Sequence, residues 1–235
     1  MKCKLKYASV DEFGYPINSK ANPKDKNLMG QDVFIYENFF PNYGKGCFLD
    51  IGAACGVVRS NSYFFEKELN WSGICVEAQE HLFKQLKNSR DCLCIHACIS
   101  DTSEEVDFLS FENGGDFVGG IIKHYPEAHE DRYLRQWQQN SKKLVVNTHT
   151  VESLLGKHKI NEVDYLSIDT EGSDFIILKS INLRGLNVKC ISIENIYHDD
   201  RIREHCQNLG YEFVQRFRRD DVYVNKDYAK KIGFM

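Results

Sequence analysis

The sequence predicts an α/β fold in which helices cover both faces of a mostly parallel sheet. From residue 47 onward, short apolar runs alternate with amphipathic stretches, as in a chain of strands and helices. Two of the apolar runs end on an acid followed closely by glycine, as strands do before a ligand-binding turn. A length of 235 residues suits one such domain with insertions, so we expect a single domain over residues 1–235.

The order of the elements follows from the apolar pattern. Seven strands are predicted at 47–53, 73–78, 92–99, 163–169, 189–195, 211–217 and 221–225. Helices are predicted at 60–70, 79–89, 174–182 and 199–209. Residues 1–30 are polar and contain Pro16 and Pro23, which indicates an N-terminal arm that crosses the domain before a helix or docking segment at 33–36. We expect residues 30–32 to face the ligand site.

An insertion separates the third and fourth strands, at roughly 101–162, and is longer than an ordinary connection. It holds two strand-like pieces, 106–109 and 144–147. Its glycine pairs, 114–115 and 119–120, suit hinges. The stretch between the pieces carries His124, Tyr125, His129, Tyr133 and Trp137. Both an acceptor-binding lid and a solvated helical excursion fit this composition.

The first chemical motif is the turn after the strand at 47–53. It carries Asp50, Gly52, Ala53 and Gly56, a spacing that fits neither the dinucleotide fingerprint nor the phosphate loop. About 21 residues beyond Gly56, the next strand ends on Glu77, whose carboxylate suits the two hydroxyls of a ribose. The pair predicts a nucleoside-bearing cofactor that lacks phosphates, and a plain strand-to-helix turn is the alternative.

The second motif lies at the ends of the fourth and fifth strands. Asp169 and Glu171 precede a glycine, and Glu194 and Asn195 end the next strand, so we expect all four in one pocket. Asp169, Glu171 and Glu194 are the predicted catalytic acids. Oxygen atoms of Asp169, Glu194 and Asn195 form a candidate Mg²⁺ site. Ordinary solvated acids are the alternative, and His198 is a rival base.

The composition limits the binding partners and the cellular location that we expect. The net charge is −4, and the basic run 216–219 is followed at once by two aspartates, so no nucleic-acid partner is predicted. No apolar run approaches the ~20 residues of a membrane span, which predicts no membrane partner and a cytoplasmic location.

The nine cysteines predict reduced, mostly buried thiols. A zinc set at Cys92, Cys94, His96 and Cys98 is unfavourable, since side chains at alternate positions of a strand spread over ~20 Å. A buried strand face is the expected alternative.

Four segments together resemble the FkbM family of S-adenosylmethionine (SAM) methyltransferases, over roughly residues 30–225. They are Asp50-Ile51-Gly52-Ala53, Ser60-Asn61-Ser62, Trp71 to Glu77, and Ile168 to Gly172. The tripeptide is similar to that of a branch found in large DNA viruses and bacteria. The resemblance implies a class I (Rossmann-like) methyltransferase sheet with a final antiparallel strand. It also implies methyl transfer from SAM to a hydroxyl of a small molecule or glycan, most of all a sugar, in the host cytoplasm if the chain is viral.

The family's functional residues map onto this sequence one by one. Asp50, Gly52, Ala53 and Gly56 would frame the methionine end of SAM. Glu77 and Ala78 would hold the ribose, and Ala97, Cys98 and Ile99 would meet the adenine. Asp169 would lie beside both cofactor and acceptor.

One departure affects the loop: Cys55 stands where this branch often has aspartate. It motivates an alternative function, a catalytically silent SAM-binding or scaffold module. A second alternative, methylation of an RNA ribose hydroxyl, is disfavoured by the acidic charge balance. No oligomeric state is predicted.

Overall fold

A computed structural model describes residues 30–111, 118–125 and 141–235, together with two short strands in the N-terminal arm. The expected course of that arm, the glycine pair 114–115 and three aromatic residues of the insertion fall outside these residues; the three are His129, Tyr133 and Trp137.

Strands and helices alternate along much of the chain. The strands are, in chain order, β1 (Ser9–Val10), β2 (Pro16–Ile17), β3 (Cys47–Ile51), β4 (Ser72–Glu77), β5 (Leu93–His96), β6 (Cys98–Ile99), β7 (Glu105–Phe111), β8 (Gly120–Ile121), β9 (Ser141–His149), β10 (Tyr165–Ile168), β11 (Cys190–Glu194), β12 (Tyr211–Phe217) and β13 (Asp220–Asn225). The α-helices of the described residues are α1 (Gln31–Phe39), α2 (Tyr63–Lys67), α3 (Glu80–Ser89), α4 (Val151–His158), α5 (Asp174–Ser180), α6 (Asp200–Asn208) and α7 (Lys226–Lys231).

A seven-stranded sheet forms the centre, in the order β12-β13-β11-β10-β3-β4-β5. The five strands from β11 to β5 are parallel, and β13 runs antiparallel to both of its neighbours. Every residue of β10 and β11 is buried, as expected for parallel strands covered on both faces. The predicted α/β class with a mostly parallel sheet of seven strands is confirmed.

Helices cover both faces because side chains alternate along each strand. One apolar cluster packs Leu166 and Ile191 against α4, α5 and α6. The other packs the neighbouring Tyr165 and Cys190 against α1, α2 and α3.

The predicted third strand, 92–99, is in fact two strands in two sheets. At Ala97, whose N–H donates to the carbonyl of Glu77 at 3.1 Å, the chain leaves the central sheet. β6 then pairs with β9 in a second sheet of order β6-β9-β7-β8, built mostly from the insertion. The strand-like pieces 106–109 and 144–147 lie within β7 and β9, which pair antiparallel over their length. The prediction of a single long strand was wrong, because the pattern of apolar residues along 92–99 does not show that its two parts pair with different strands.

The predicted helix 60–70 is also shorter than expected. The Ser60 hydroxyl accepts from the N–H groups of Ser62 and Tyr63, at 3.3 and 3.1 Å, so a side-chain turn occupies the start of this segment. Only Tyr63–Lys67 remain helical.

The cysteines of the described residues are free thiols. His96 is exposed and stacks on Phe83 at a centroid distance of 5.0 Å, so the buried strand face expected at 92–98 is interrupted. Cys98 belongs to the second sheet, as part of β6.

Gly52 is the position where a side chain would disturb the fold most directly. Its φ is +85°, and a Cβ would lie 1.7 Å from the carbonyl oxygen of Asp169. We expect Gly52→Ala to lower the free energy of unfolding by about 2–5 kcal/mol, the sum of a left-handed backbone penalty and overpacking.

Gly210→Ala is the matched control for that change. Its φ is +88°, and no heavy atom lies within 4 Å of the added Cβ. Backbone cost alone predicts a loss of about 1–2 kcal/mol there. Urea unfolding of both variants measures the difference, and equal losses would show that the contact with Asp169 carries no cost.

Candidate active site

A pocket opens at the carboxyl ends of β3, β4, β10 and β11. The strand order reverses between β3 and β10, which is where open α/β sheets bind ligands. Its walls come from six parts of the chain: 50–54, 58–61, 76–79, 97–99, 119–121 and 169–171. Leu82, Phe108, Glu194 and the turn 217–220 complete the lining.

Asp50 bonds to the segment that follows the glycine loop. It is buried, and its Oδ2 accepts from the Ser62 hydroxyl at 2.5 Å. Arg90 in turn donates to the Ser62 hydroxyl at 3.1 Å. Burial raises the pKa of Asp50 above its ordinary value, although Ser62 and Arg90 oppose the rise. Asp50 thus lines the pocket and also holds the tripeptide that follows the loop.

The glycine loop divides into a pocket side and a packing side. The N–H groups of Gly52 and Ala53 both donate to the carbonyl of Val76, at 2.9 and 3.0 Å, and both residues line the pocket. Gly56 does not line it: a Cβ there would lie 2.5 Å from Leu86 and 2.9 Å from Arg90. The expectation that Gly56 frames the cofactor is therefore corrected, since this glycine makes room for α3.

Cys55 retains a contact inside the loop. Its side chain is buried, and its Sγ accepts from the N–H of Val58 at 3.4 Å. The Ser89 hydroxyl donates to its carbonyl at 2.9 Å. The thiol therefore helps to hold the turn.

Glu77 lies at the end of β4 with both oxygens in use. Oε2 accepts from the N–H of Ala54 at 2.8 Å, and Oε1 accepts from that of Gln79 at 2.7 Å. Burial raises the pKa of Glu77 to about 7, against the lowering effect of these bonds. Each carboxylate oxygen accepts two hydrogen bonds, so the group keeps capacity for hydroxyls of a ligand. Ala78, Ala97, Cys98 and Ile99 line the same part of the pocket.

Three acids converge on the opposite side. Oxygen atoms of Asp169, Glu171 and Glu194 all lie within 4.8 Å of one another. Glu171 and Glu194 are buried, whereas Asp169 is half-buried. Among the described residues, Oε2 of Glu171 and Oε2 of Glu194 are buried without a hydrogen-bond partner. Burial raises the pKa of all three acids. The charge of Glu171 adds to the rise at Asp169 and Glu194, and that of Asp174 adds to the rise at Glu171, whose pKa reaches about 8.

Asp174 shapes the turn that brings Glu171 into this cluster. Glu171 and Gly172 have φ values of +54° and +118°. Asp174 Oδ1 accepts from the N–H of Thr170 at 2.7 Å, and its Oδ2 accepts from the N–H of Gly172 at 3.0 Å. The sequence pattern identified the three acids but gave no role to Asp174.

Asn195 and His198 lie outside the pocket. Asn195 Oδ1 accepts from the N–H of Asp199 at 2.6 Å, and its Nδ2 donates to Asp221 at 2.8 Å. Neither Asn195 nor His198 lines the pocket; both border a separate depression with Arg216. The candidate metal set is therefore corrected to Asp169, Glu171 and Glu194, because the Asn195 oxygen begins the turn into α6.

Two glutamines stabilise the walls: Gln31, within the predicted stretch 30–32, and Gln79, to which the sequence pattern gave no role. Gln31 Nε2 donates to Asn61 at 2.5 Å, so the expected approach of residues 30–32 to the site occurs through Asn61. Gln79 Oε1 accepts from Ser110 and from the N–H of Phe111, at 2.9 and 3.0 Å, and joins the second sheet to the pocket.

A comparison with protein families decides the class of protein: the model of the methyltransferase FkbM domain matches residues 50–213. The chain belongs to the FkbM methyltransferase family. A comparison with curated proteins found no match.

Some solved structures are similar to this FkbM methyltransferase at low sequence identity. One METTL16 MTase domain structure is 9% identical with a TM-score of 0.46, over 83% of this chain and 66% of that one. A second is 10% identical with a TM-score of 0.48, over 91% and 74%. A human methyltransferase 10 domain containing protein is 10% identical with a TM-score of 0.44, over 92% and 90%.

The family implies that this FkbM methyltransferase uses SAM, and the pocket offers groups that suit that cofactor. Buried Glu77 supplies an acceptor for ribose hydroxyls, and Val76, Leu82, Ile99 and Phe108 supply apolar walls for a base.

Among the helices of the described residues, none has the length and apolar character needed to cross a bilayer.

The stability of the cation-free protein is expected to fall as the pH rises from about 4.5 to about 8. The unfolded chain ionises Glu171 near the ordinary value of 4.5, whereas the folded protein keeps that proton until about 8. Rising pH in this window therefore favours the unfolded state. Urea unfolding in EDTA measures the slope, and Glu171→Gln should make it shallower.

The exposed Glu68 provides the matched control for that measurement. Glu68→Gln should leave the slope as in the wild type. A slope that Glu171→Gln does not change would contradict the assignment of the buried proton.

Proposed function

We propose that this FkbM methyltransferase transfers the methyl group of SAM to a hydroxyl oxygen of a sugar, either free or within a glycan. The observation that carries the proposal is the cluster of Asp169, Glu171 and Glu194 in the same pocket as Glu77. Carboxylates serve a hydroxyl acceptor in two ways, by taking its proton and by holding a hard cation beside it.

The cofactor half of the pocket lies between the glycine loop and the end of β4. Glu77 would accept hydrogen bonds from the ribose, and Gly52 and Ala53 would let the backbone approach the methionine end. S-adenosylmethionine supplies the methyl group when it is bound. Holding it in line with the acceptor is the main task of these residues.

The acid half of the pocket fits Mg²⁺. Asp169, Glu171 and Glu194 would hold the ion, since the two glutamates each offer a hard oxygen that is buried without a hydrogen-bond partner among the described residues. The chemistry that such an ion supplies is a lower pKa for a nearby hydroxyl. This donor set replaces the one with Asn195.

Asp169 is the residue we assign to the acceptor proton. It is the member of the cluster with the greatest exposure, and it lines the pocket beside Gly52 and Thr170. A carboxylate within reach of the hydroxyl accepts the proton as the new carbon–oxygen bond forms. Glu171 and Glu194 are buried behind it and fix its charge environment.

The test is methyl transfer from isotope-labelled SAM to a panel of sugars, glycans and RNA, with Mg²⁺ or with EDTA. We expect labelled product from sugars and its loss in EDTA. Label in RNA alone would favour the ribose alternative. Binding of S-adenosylhomocysteine (SAH) without transfer to any acceptor would favour the silent module.

Metal binding is tested separately with Mn²⁺ as a spectroscopic substitute for Mg²⁺. Glu194→Gln should weaken Mn²⁺ binding by about 10–100-fold, because one of three charged ligands becomes neutral. The exposed Glu204 on α6 gives the matched control, Glu204→Gln, which should leave Mn²⁺ binding unchanged.

A further inference from the structure

Three arginines line the pocket on the side of the acid cluster. Arg218 and Arg219 form the turn between β12 and β13, and Arg59 follows the glycine loop. The N–H of Asn195 donates to the carbonyl of Arg219 at 2.7 Å, which fixes the turn against the end of β11. The basic run 216–219, which has no role in the function argued so far, contributes Arg218 and Arg219 to the lining of the pocket.

The backbone at two of these positions suits a smaller residue. Arg218 has a φ of +54° in a two-residue hairpin turn, where asparagine or glycine is strongly preferred. Arg59 has a φ of +58°. Side chains larger than glycine are unfavourable in this conformation. Residues kept in a costly conformation cluster at ligand sites, which indicates that these arginines serve the pocket rather than the turn.

The arginines lie in the same pocket as the acids. The charges of Arg219 and Arg59 act on Glu171 and oppose the rise of its pKa, so both side chains are within electrostatic reach of the acid cluster. The pocket thus combines a carboxylate cluster with three arginines. An acceptor matched to both carries a hydroxyl for the acids and an oxyanion for the arginines.

We propose that Arg59, Arg218 and Arg219 bind an anionic group, a carboxylate or a phosphate, on the sugar acceptor. This proposal rests on the proposed function, since it narrows the acceptor of the same pocket. The two sources of the oxyanion are a uronic acid and a sugar phosphate. A guanidinium group can donate two parallel hydrogen bonds to the carboxylate of a uronic acid or to the phosphate of a sugar phosphate.

The experiment compares three probes with the same ring: glucuronate, glucose 6-phosphate and glucose. Each is titrated calorimetrically into protein saturated with SAH and Mg²⁺. We expect one or both charged probes to bind at least about tenfold more tightly than glucose. Preference for glucuronate identifies a uronic acid as the source, and preference for glucose 6-phosphate identifies a sugar phosphate.

The variant Arg59→Gln/Arg218→Gln/Arg219→Gln should abolish the preference while binding SAH as the wild type does. Arg184→Gln, at an exposed arginine outside the pocket, should retain it. Arg218→Gly adds a control for folding, because it should keep or raise the melting temperature of the protein while weakening the binding of the charged probe.

Charged probes that bind no more tightly than glucose, or that do not bind, would overturn the proposal. So would a preference that survives the triple variant. Both results leave SAH binding and methyl transfer to neutral sugars in place, whereas failure of the proposed function shows as the absence of methyl transfer from SAM to any acceptor.

Discussion

Asp169→Asn is expected to lower the turnover of this FkbM methyltransferase by about 10²–10⁴-fold, the usual contribution of a positioned general base. The amide has nearly the shape of the carboxylate but cannot take a proton from the acceptor. Its carbonyl oxygen can still face the cluster with Glu171 and Glu194, but one charge of the proposed Mg²⁺ site is lost, so turnover is compared at saturating Mg²⁺. Affinity for SAH should stay close to that of the wild type, because Glu77 and the glycine loop are unchanged.

The measurement is single-turnover methyl transfer to the best acceptor of the panel, with calorimetry of SAH in parallel. Asp91→Asn is the matched control, since Asp91 is exposed and pairs with Lys67 away from the pocket. Turnover retained in Asp169→Asn would indicate that Glu171 or Glu194, rather than Asp169, accepts the proton. Loss of SAH binding together with turnover would instead indicate a role for Asp169 in holding the cofactor.

Glu77→Ala is expected to weaken SAH binding by about 100-fold or more. The change removes the acceptor for two ribose hydroxyls, each a charge-assisted hydrogen bond worth about 1.5–3 kcal/mol. It also leaves the N–H groups of Ala54 and Gln79 without their present partner, which loosens the loop. Glu77→Gln should lie between the wild type and Glu77→Ala, because an amide oxygen accepts while its nitrogen does not.

The pH dependence of SAH binding provides an independent measurement on the same residue. The pKa of Glu77 is about 7 in the free protein, and hydroxyls that donate to the carboxylate favour its charged form. Affinity should therefore rise with pH between about 6 and about 8, with proton release detectable calorimetrically in buffers of different ionisation enthalpy. In Glu77→Gln the affinity should lose this dependence, and an unchanged profile would contradict the assignment.

The neighbourhood of Glu77 also explains how one fold brings two kinds of chemistry together. β3, β4, β10 and β11 end at the same edge of the sheet, so Glu77 on one side and the acids on the other meet in one crevice. Gln79 links the second sheet to this edge, which places 119–121 as a wall over the pocket. Part of the predicted insertion therefore borders the site, while its role as a lid stays a prediction.

The sequence by itself determined the class of fold and predicted which acids line the pocket. Alternating and continuous apolar runs reflect burial, which is a local property of each strand, so the strands of the central sheet were found within a few residues, except that the predicted third strand also included β6 of the second sheet. Asp50, Glu77, Asp169, Glu171 and Glu194 were found because acids at strand ends in a parallel sheet share an edge.

The tertiary structure alone decided which neighbour each residue faces. Gly56 turns toward α3, Asn195 toward Asp199, and β6 toward β9, although the sequence pattern around each gave no direction. Arg218 and Arg219 likewise reach the pocket only because β12 and β13 extend the sheet beside β11. Periodicity records whether a side chain is buried, but the identity of its contacts depends on segments distant in the chain, and only the folded molecule brings those together.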